Sequence, residues 1–205
     1  MSQGNFSWTA YIQQFEEFLP PYSSEFPWQL TGKASEVIIK IITTLSSDYK
    51  IHEGVAIHSS AVIENNVTLK GPVIIGPNCF VAANCYLRTG MFLISNNSIG
   101  PGCEIKSSFV FPHSNLAHFN FVGDSVIGSH VNFEAGSIIA NHFNERANKE
   151  ISVMMNGASI NTKTEKFGAL VGDNSKIGAN AVLSPGTILQ PNSIVRRLEL
   201  VDQQG

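Results

Sequence analysis

The stretch IHEGVAIHSSAVIENNVTLKGPVIIGPNCFVAANCYLRTG, residues 51–90, decides the fold through its spacing. An aliphatic residue recurs at every sixth position from Ile51 to Leu87. Many positions between them are Gly, Asn, Pro or Ser, which favour turns. The fifth residue of each six is small or moderately apolar: Val55, Ala61, Val67, Val73, Cys79 and Cys85. The pattern predicts hexapeptide repeats, short strands separated by turns.

The six-residue spacing continues past Leu87 as far as Phe111 and Ala117. We expect an interruption there, because the spacing resumes at Phe121, four residues later, and a further block covers Val171 to Val195. Such spacing is typical of a left-handed parallel β-helix, in which three hexapeptides form one triangular coil and stacked coils pair about 4.8 Å apart. The sequence therefore predicts an all-β fold over residues 48–200.

Two segments depart from this pattern. Residues 1–47 place apolar side chains at helical spacing in WTAYIQQFEEFL and KASEVIIKIITTLS, on either side of the turn-rich PPYSSEFP. We expect a small helical N-terminal segment of two helices on or near the first coils, capping an open sheet edge. Residues 142–166 interrupt the hexapeptides, and Asn156-Gly157 between β-prone flanks predicts an inserted β-hairpin.

Composition limits the classes of partner. Charged residues make up 14% of the chain, against about a quarter in typical domains, which predicts a surface partly covered by other subunits. The net charge is -3 and no Lys/Arg cluster of five to eight residues occurs, so neither nucleic acid nor a membrane surface is expected as a partner. The first residues lack the pattern of a secretory signal, and no run of eighteen apolar residues occurs. We therefore expect a soluble, cytoplasmic protein.

Three cysteines, Cys79, Cys85 and Cys103, all fall on the small inward position of the repeat. Buried thiols of this kind behave as small apolar side chains. Neither a disulfide nor a metal site is expected from them.

Polar residues that break the repeat are candidates for a site. Arg88 and Lys106 are one predicted coil apart, so they should be stacked neighbours, and two adjacent cations suit a phosphate; the alternative is a pair of solvated turn residues. His118 lies in the predicted interruption. We interpret the interruption as a change of register that lets the imidazole leave the repeat and face a cleft. Histidine has an ordinary pKa of about 6.5, which suits a general base. Asn132 and Asn141 are the next polar exceptions, although asparagine is also common in structural turns.

These residues together resemble one family. The segments LRTG, EIKSS and AHFNFVGDSVIGSHVNFEAGSIIAN, with their spacing from Arg88 through Lys106, His118 and Asn132 to Asn141, resemble the acetyltransferase domain of the bifunctional glucosamine-1-phosphate acetyltransferase/UDP-N-acetylglucosamine pyrophosphorylase. The resemblance covers about residues 51–197. The hairpin followed by EKFGALVG is similar to the archaeal type of sugar-1-phosphate nucleotidylyltransferase that carries the same domain.

The resemblance implies an acetyl-CoA-dependent N-acetyltransferase that acts on an amino sugar, with a 1-phosphate such as glucosamine-1-phosphate as the favoured substrate, and that assembles as a homotrimer. It implies these roles for residues: a sugar-phosphate site at Arg88, Lys106 and Lys166, a general base at His118, contacts to the sugar and acetyl groups at Asn132 and Asn141, and acetyl-CoA beside Ala135 and Ala179. Asparagine side chains or backbone N–H groups could also stabilise the oxyanion.

Two positions depart from the family. Phe121 and His142 stand where the family has tyrosines, so the identity of the amino sugar stays open. No glycine-rich nucleotide-binding segment with its following lysine precedes Ile51. We therefore do not expect this chain to make a nucleotide sugar alone.

Two alternatives belong to other classes. One is a non-catalytic trimeric β-helix scaffold that binds a sugar nucleotide or a partner enzyme. The other is a zinc enzyme like the γ-class carbonic anhydrases, with His113 and His118 as an H-x-x-x-x-H ligand pair.

Overall fold

The computed structural model describes residues 6–203; the first five residues of the predicted helical segment lie outside the described residues. Three short α-helices precede the strands: α1 (Phe15–Phe18), α2 (Pro27–Gly32) and α3 (Ala34–Ile42), with 3-10 turns at Trp8–Ala10 and Pro20–Tyr22. The sequence analysis missed α2, which begins with a proline at its first position, where the missing N–H has no intrahelical role.

The strands β1 to β24 follow in chain order: Tyr49–His52, Val55–His58, Val62–Ile63, Thr68–Lys70, Val73–Ile75, Phe80–Val81, Tyr86–Arg88, Met91–Leu93, Ser98–Ile99, Glu104–Lys106, Phe109–Val110, Asn115–Leu116, Phe121–Gly123, Val126–Ile127, Asn132–Phe133, Ile138–Ile139, Ser152–Met155, Ala158–Asn161, Ala169–Val171, Lys176–Ile177, Val182–Leu183, Thr187–Leu189, Ile194–Val195 and Leu200–Val201.

Three sheets form the sides of a left-handed parallel β-helix of about eight coils, so the predicted fold class is confirmed. Face A consists of β1, β2, β5, β8, β11, β14, β19 and β22; face B of β3, β6, β9, β12, β15, β20 and β23; and face C of β4, β7, β10, β13, β16, β21 and β24. The chain visits A, B and C in turn. The interior is a continuous apolar stack that includes Cys79, Cys85 and Cys103, as predicted.

The repeat differs from the predicted one at two places. Ile51 lies in β1, which pairs antiparallel with β2 at the edge of face A and is not part of a coil. Leu93 pairs with Val110 and Val110 with Ile127, so these coils contain seventeen residues and not eighteen. The interior positions are therefore Val110 and Leu116, and the predictions for Phe111 and Ala117 were wrong.

The interruption is therefore not at the predicted place. The spacing between interior positions falls from six residues to five at the corner between faces C and A, after Ile105 and again after Val122. At this corner Ser107 and Asp124 adopt φ values of 47° and 48°. His118 lies at the corner between faces B and C, in a turn of regular length. The hypothesis that an interruption exposes His118 was therefore wrong.

The N-terminal segment covers face A and does not cap the open end of the coil stack. Helix α3 packs on β5 and β8. Phe111, on the outer side of face A, stacks against Phe15 at 5.7 Å between ring centroids and contacts Phe18 edge-on. At the far end of the segment, the N–H of Asp173 donates to the carbonyl of Tyr11 at 2.9 Å. The segment thus forms a second apolar layer along most of face A.

The inserted hairpin is confirmed as β17 and β18, which pair antiparallel with Asn156 and Gly157 at the turn. It leaves the β-helix at the corner between faces C and A, just after Asn141. Val153 and Met155 are buried in the outer apolar layer, so one side of the hairpin is anchored on face A. Among residues 6–203, no helix has the length and apolar character needed to cross a bilayer.

Candidate active site

One cleft on face C gathers most of the predicted site residues. It has a volume of about 340 Å³ and is lined by Arg88, Lys106, Phe121, Asn141, His142 and Lys166. These residues come from three successive face-C strands, from the chain just after β16 and from the chain just after the hairpin. The hairpin insertion therefore supplies one wall of the cleft.

The two predicted cations are adjacent, because Arg88 of β7 pairs in register with Lys106 of β10. Each is already paired with a carboxylate. Arg88 donates through Nε and Nη2 to Oε1 of Glu104, at 3.0 and 2.7 Å. Lys106 Nζ donates to Oδ2 of Asp124 at 2.5 Å. A bound anion would therefore share both cations with these carboxylates.

Lys166 differs from both cations. It is exposed at the cleft, and no ion pair joins it to another residue between positions 6 and 203. The cleft therefore has a small positive excess, in which the charge of Lys166 is not neutralised by a neighbour.

Asn141 is buried and its Nδ2 donates to Oδ2 of Asp124 at 2.5 Å. Its Oδ1 lies 3.3 Å from Nδ1 of His142. Gly123 makes this arrangement possible: a Cβ there would lie 3.0 Å from both Asn141 and the Phe121 ring. A side chain at position 123 would therefore force Phe121 or Asn141 to shift.

His118 is exposed at the corner between faces B and C and does not line the cleft. Its carbonyl accepts the N–H of Gly136 at 2.8 Å. Phe121, three residues later, begins the strand that separates this corner from the cleft. Within one chain, the predicted base and the predicted phosphate site therefore lie on opposite edges of the same face.

His113 precedes β12 and His118 follows it, so the two histidines lie on different corners. The His113 ring stacks on His130 at 4.8 Å with 6° between the ring planes. No group of three His, Cys, Asp or Glu side chains in the described part of the chain could hold a metal ion. The H-x-x-x-x-H pair therefore has no geometric basis as a ligand pair.

Ala135 and Ala179, the residues predicted to lie beside acetyl-CoA, are on the same corner as His118, in the coils that follow. The carbonyl of Ala135 accepts the N–H of Asn180 at 3.0 Å, and the carbonyl of Ala179 accepts that of Leu198 at 2.9 Å. The N–H of Ala179 already donates to Oε2 of Glu134 at 2.9 Å, so it is not free for a ligand.

Asn132 lies in a second groove, on face B, of about 500 Å³. Its lining also includes Glu134, Lys176, Arg196 and Arg197. Arg197 donates to both oxygens of Glu134 at 2.7 Å. The hydrogen bond from this guanidinium, together with that from Ala179, lowers the pKa of Glu134 below its ordinary value. The groove adjoins the corner that carries His118, whereas the cleft lies at the other edge of face C.

Sequence reasoning missed Asp124, Glu104 and Lys70. Lys70 pairs in register with Arg88, and its ammonium lies 5.2 Å from the centre of the Tyr86 ring. Positions 70, 88, 106 and 124 follow one another at the eighteen-residue spacing that linked Arg88 to Lys106. The same spacing extended one step back would have found Lys70, whereas the coil after Lys106 has seventeen residues and pairs Lys106 with Gly123, one residue before Asp124.

Comparisons with known proteins agree with this architecture. Residues 54–89 match the family profile "Bacterial transferase hexapeptide (six repeats)", and residues 168–196 match "Hexapeptide repeat of succinyl-transferase". Both matched segments are therefore similar to hexapeptide repeats of transferases.

Curated relatives include the bifunctional protein GlmU of Methanococcus maripaludis, 34% identical over 115 residues, which are 56% of this chain and 27% of the relative. A bifunctional sugar-1-phosphate nucleotidylyltransferase/acetyltransferase of Sulfurisphaera tokodaii is 35% identical over 94 residues, 46% of this chain and 23% of the relative. The match thus spans about a quarter of the length of these relatives. The predicted family resemblance is confirmed.

Among solved structures, the acetyltransferase domain of PglB from Neisseria gonorrhoeae in complex with acetyl coenzyme A is 10% identical. The similarity covers 82% of this chain and 60% of that one, with a TM-score of 0.36. Similarity at this level assigns neither a substrate nor a cofactor to the present chain.

Proposed function

We propose that the protein is an acetyl-CoA-dependent N-acetyltransferase that acts on an amino sugar carrying a phosphate, with an amino-sugar 1-phosphate such as glucosamine-1-phosphate as the first candidate. The observation that carries the proposal is the face-C cleft, which brings Arg88, Lys106 and Lys166 together beside Asn141. Charge-assisted hydrogen bonds from such a set suit a phosphate group. The relatives named GlmU support the same class of chemistry.

The chemical step is transfer of an acetyl group from a thioester to an amine. The amine nitrogen attacks the thioester carbonyl carbon, the new C–N bond forms, and the C–S bond breaks. His118 takes the proton that the amine loses, and the coenzyme A thiolate leaves and receives that proton from the protonated His118. A positioned general base typically contributes 10²- to 10⁴-fold to such a rate.

Acetyl-CoA would lie along the corner between faces B and C, beside His118, Ala135 and Ala179. Lys176, Arg196 and Arg197 line the face-B groove next to this corner and could bind its phosphates. The thioester would then reach His118 from the face-B side, and the amine from the face-C side. Asn132, in the same groove, would contact the cofactor side of the site and not the sugar phosphate.

A homotrimer would complete the site. Phe119 and Leu198, on the His118 corner, are 71% and 79% exposed. Exposed apolar side chains along one corner are compatible with a subunit interface there. A neighbouring subunit packed at this corner would cover them and would enclose both the cleft and the groove.

The test is a screen of amino-sugar phosphates with acetyl-CoA, in which released thiol is detected and the N-acetylated product is identified by mass spectrometry. Turnover with an amino-sugar phosphate, and much weaker turnover with the unphosphorylated sugar, is expected. Tight binding of a sugar nucleotide without any thiol release would favour the scaffold alternative.

A further inference from the structure

Asp124 is a buried carboxylate behind the cleft, with a side chain 9% exposed. One of its oxygens, Oδ2, accepts from both Lys106 Nζ and Asn141 Nδ2, at 2.5 Å each. A buried carboxylate is costly unless it is paired and hydrogen-bonded. The two donors therefore hold Asp124 in place, and Asp124 in turn holds both of them.

The carboxylate also fixes the orientation of the Asn141 amide. An ionised carboxylate only accepts hydrogen bonds, so the amide nitrogen of Asn141 must face it. The amide oxygen then lies on the other side, near His142, where both residues line the cleft. Asn141 thus presents a hydrogen-bond acceptor to the cleft.

The same carboxylate changes the role of Lys106. Its side chain is 12% exposed and its ammonium is neutralised by Asp124, so an anion in the cleft must share it. Lys106 can still orient a phosphate through one hydrogen bond, but most of the unneutralised charge in the cleft belongs to Lys166.

We propose that Asp124 is the positioning residue of the cleft: it restrains the ammonium of Lys106 and turns the amide oxygen of Asn141 toward the substrate. This inference rests on the proposed acetyl transfer. An acceptor at Asn141 suits an N–H of the attacking amine or a sugar hydroxyl. It does not suit the oxyanion, because an oxyanion needs hydrogen-bond donors.

Asp124→Asn keeps the shape of the side chain and removes the charge. The freed ammonium of Lys106 should bind inorganic phosphate about tenfold more tightly, as one charge-assisted hydrogen bond would predict. The amide of Asn141 can then face either way, so kcat should fall about 10- to 100-fold, the usual cost of a misplaced reacting group. A residue with a purely structural role would not raise phosphate affinity while it lowers kcat.

Asp173→Asn is the matched control. Asp173 also accepts two hydrogen bonds, from the N–H groups of Ser129 at 2.7 Å and Gln13 at 2.9 Å, but it lies at the corner between faces A and B. Phosphate affinity, measured by calorimetry, and kcat should both equal those of the unmodified protein.

A second pair of variants covers the case in which Asp124→Asn does not fold, because it leaves a buried ammonium unpaired. Lys106→Met combined with Asp124→Asn removes the ion pair as a unit. Its kcat should be at least about tenfold below that of Lys106→Met alone, since the two differ only in the group that orients Asn141.

Equal kcat in these two variants, or Asp124→Asn with unchanged or weaker phosphate binding, would overturn the assignment. The phosphate measurement needs no turnover. A protein that acetylates no amino sugar would therefore refute the proposed function, while phosphate affinity would still show whether Asp124 restrains Lys106.

Discussion

At the residue scale, the cleft is a set of charges that restrain one another. Arg88 and Lys106 are adjacent and each is bound to a carboxylate, whereas Lys166 is exposed and unpaired within residues 6–203. An anionic substrate gains most from a cation that does not first have to leave another partner. Lys166 is therefore expected to contribute strongly to phosphate affinity, although it lies on a loop.

Lys166→Met tests this expectation. The apparent KM for an amino-sugar phosphate should rise about tenfold, the worth of one hydrogen bond to a charged group, and the KM for the unphosphorylated sugar should change little. Lys163→Met is the control, because Lys163 lies on the same insertion but pairs with Glu150 at 3.8 Å. Equal changes in KM for both sugars would remove Lys166 from the phosphate site.

A second prediction at this scale concerns the cofactor. Arg197→Ala should raise the apparent KM for acetyl-CoA several-fold and leave the KM for the sugar phosphate unchanged, because Arg197 lines only the face-B groove. Arg146→Ala, on the hairpin insertion, is a suitable control. An effect of Arg197→Ala on the sugar phosphate alone would place the cofactor elsewhere.

At the element scale, the error in the predicted spacing begins on face A, at Phe111. This face is buried on both sides, inside against the coil stack and outside against the N-terminal segment. Val110 and Phe111 are both fully buried, so alternation cannot tell which one points inward. Where only one side is buried, as at Leu87, Ile99 and Ile105, the spacing predicted the interior position correctly.

The candidate site, too, was predicted correctly only in part. The eighteen-residue spacing predicted the contact between Arg88 and Lys106, because parallel pairing repeats along the coil. It could not predict that each cation has a carboxylate partner, because Glu104 is not in register with Arg88 and Asp124 is not in register with Lys106. Nor could it predict that the hairpin returns Lys166 to the cleft.

Phe111→Ala tests the outer layer. Phe111 is fully buried between face A and the helices, so its truncation should lower the free energy of unfolding by about 3–5 kcal/mol. Phe119→Ala, at a side chain 71% exposed, should change it by less than about 0.5 kcal/mol in a protein held as a monomer by dilution. Denaturant unfolding measures both, and a small effect at Phe111 would contradict the packing of the N-terminal segment on face A.

At the scale of the whole molecule, the parts of the proposed site lie apart from one another within one chain. The cleft lies on face C, the groove with Asn132 on face B, and His118 on the corner between them. A copy of the chain packed at this corner would join these parts and cover Phe119 and Leu198. Threefold symmetry would then generate three equivalent sites.

Leu198→Glu tests the assembly. Light scattering should give a trimer for the unmodified protein and smaller species for this variant, because a charge would be buried at the interface. Ile39→Glu, on helix α3 over face A, is also at an exposed apolar position and should leave the trimer intact. A monomeric unmodified protein with full activity would contradict the shared site.

The most direct measurement is the rate of acetyl transfer by His118→Ala, with amino-sugar 1-phosphate and acetyl-CoA both saturating. The proposed mechanism predicts a kcat lower by about 10²- to 10⁴-fold, because the attacking amine loses its base. Acetyl-CoA affinity and the trimer should be retained, since the side chain is exposed and outside the apolar interior. A His118→Ala protein that transfers acetyl groups at the unmodified rate would contradict the proposal that the site works from this corner.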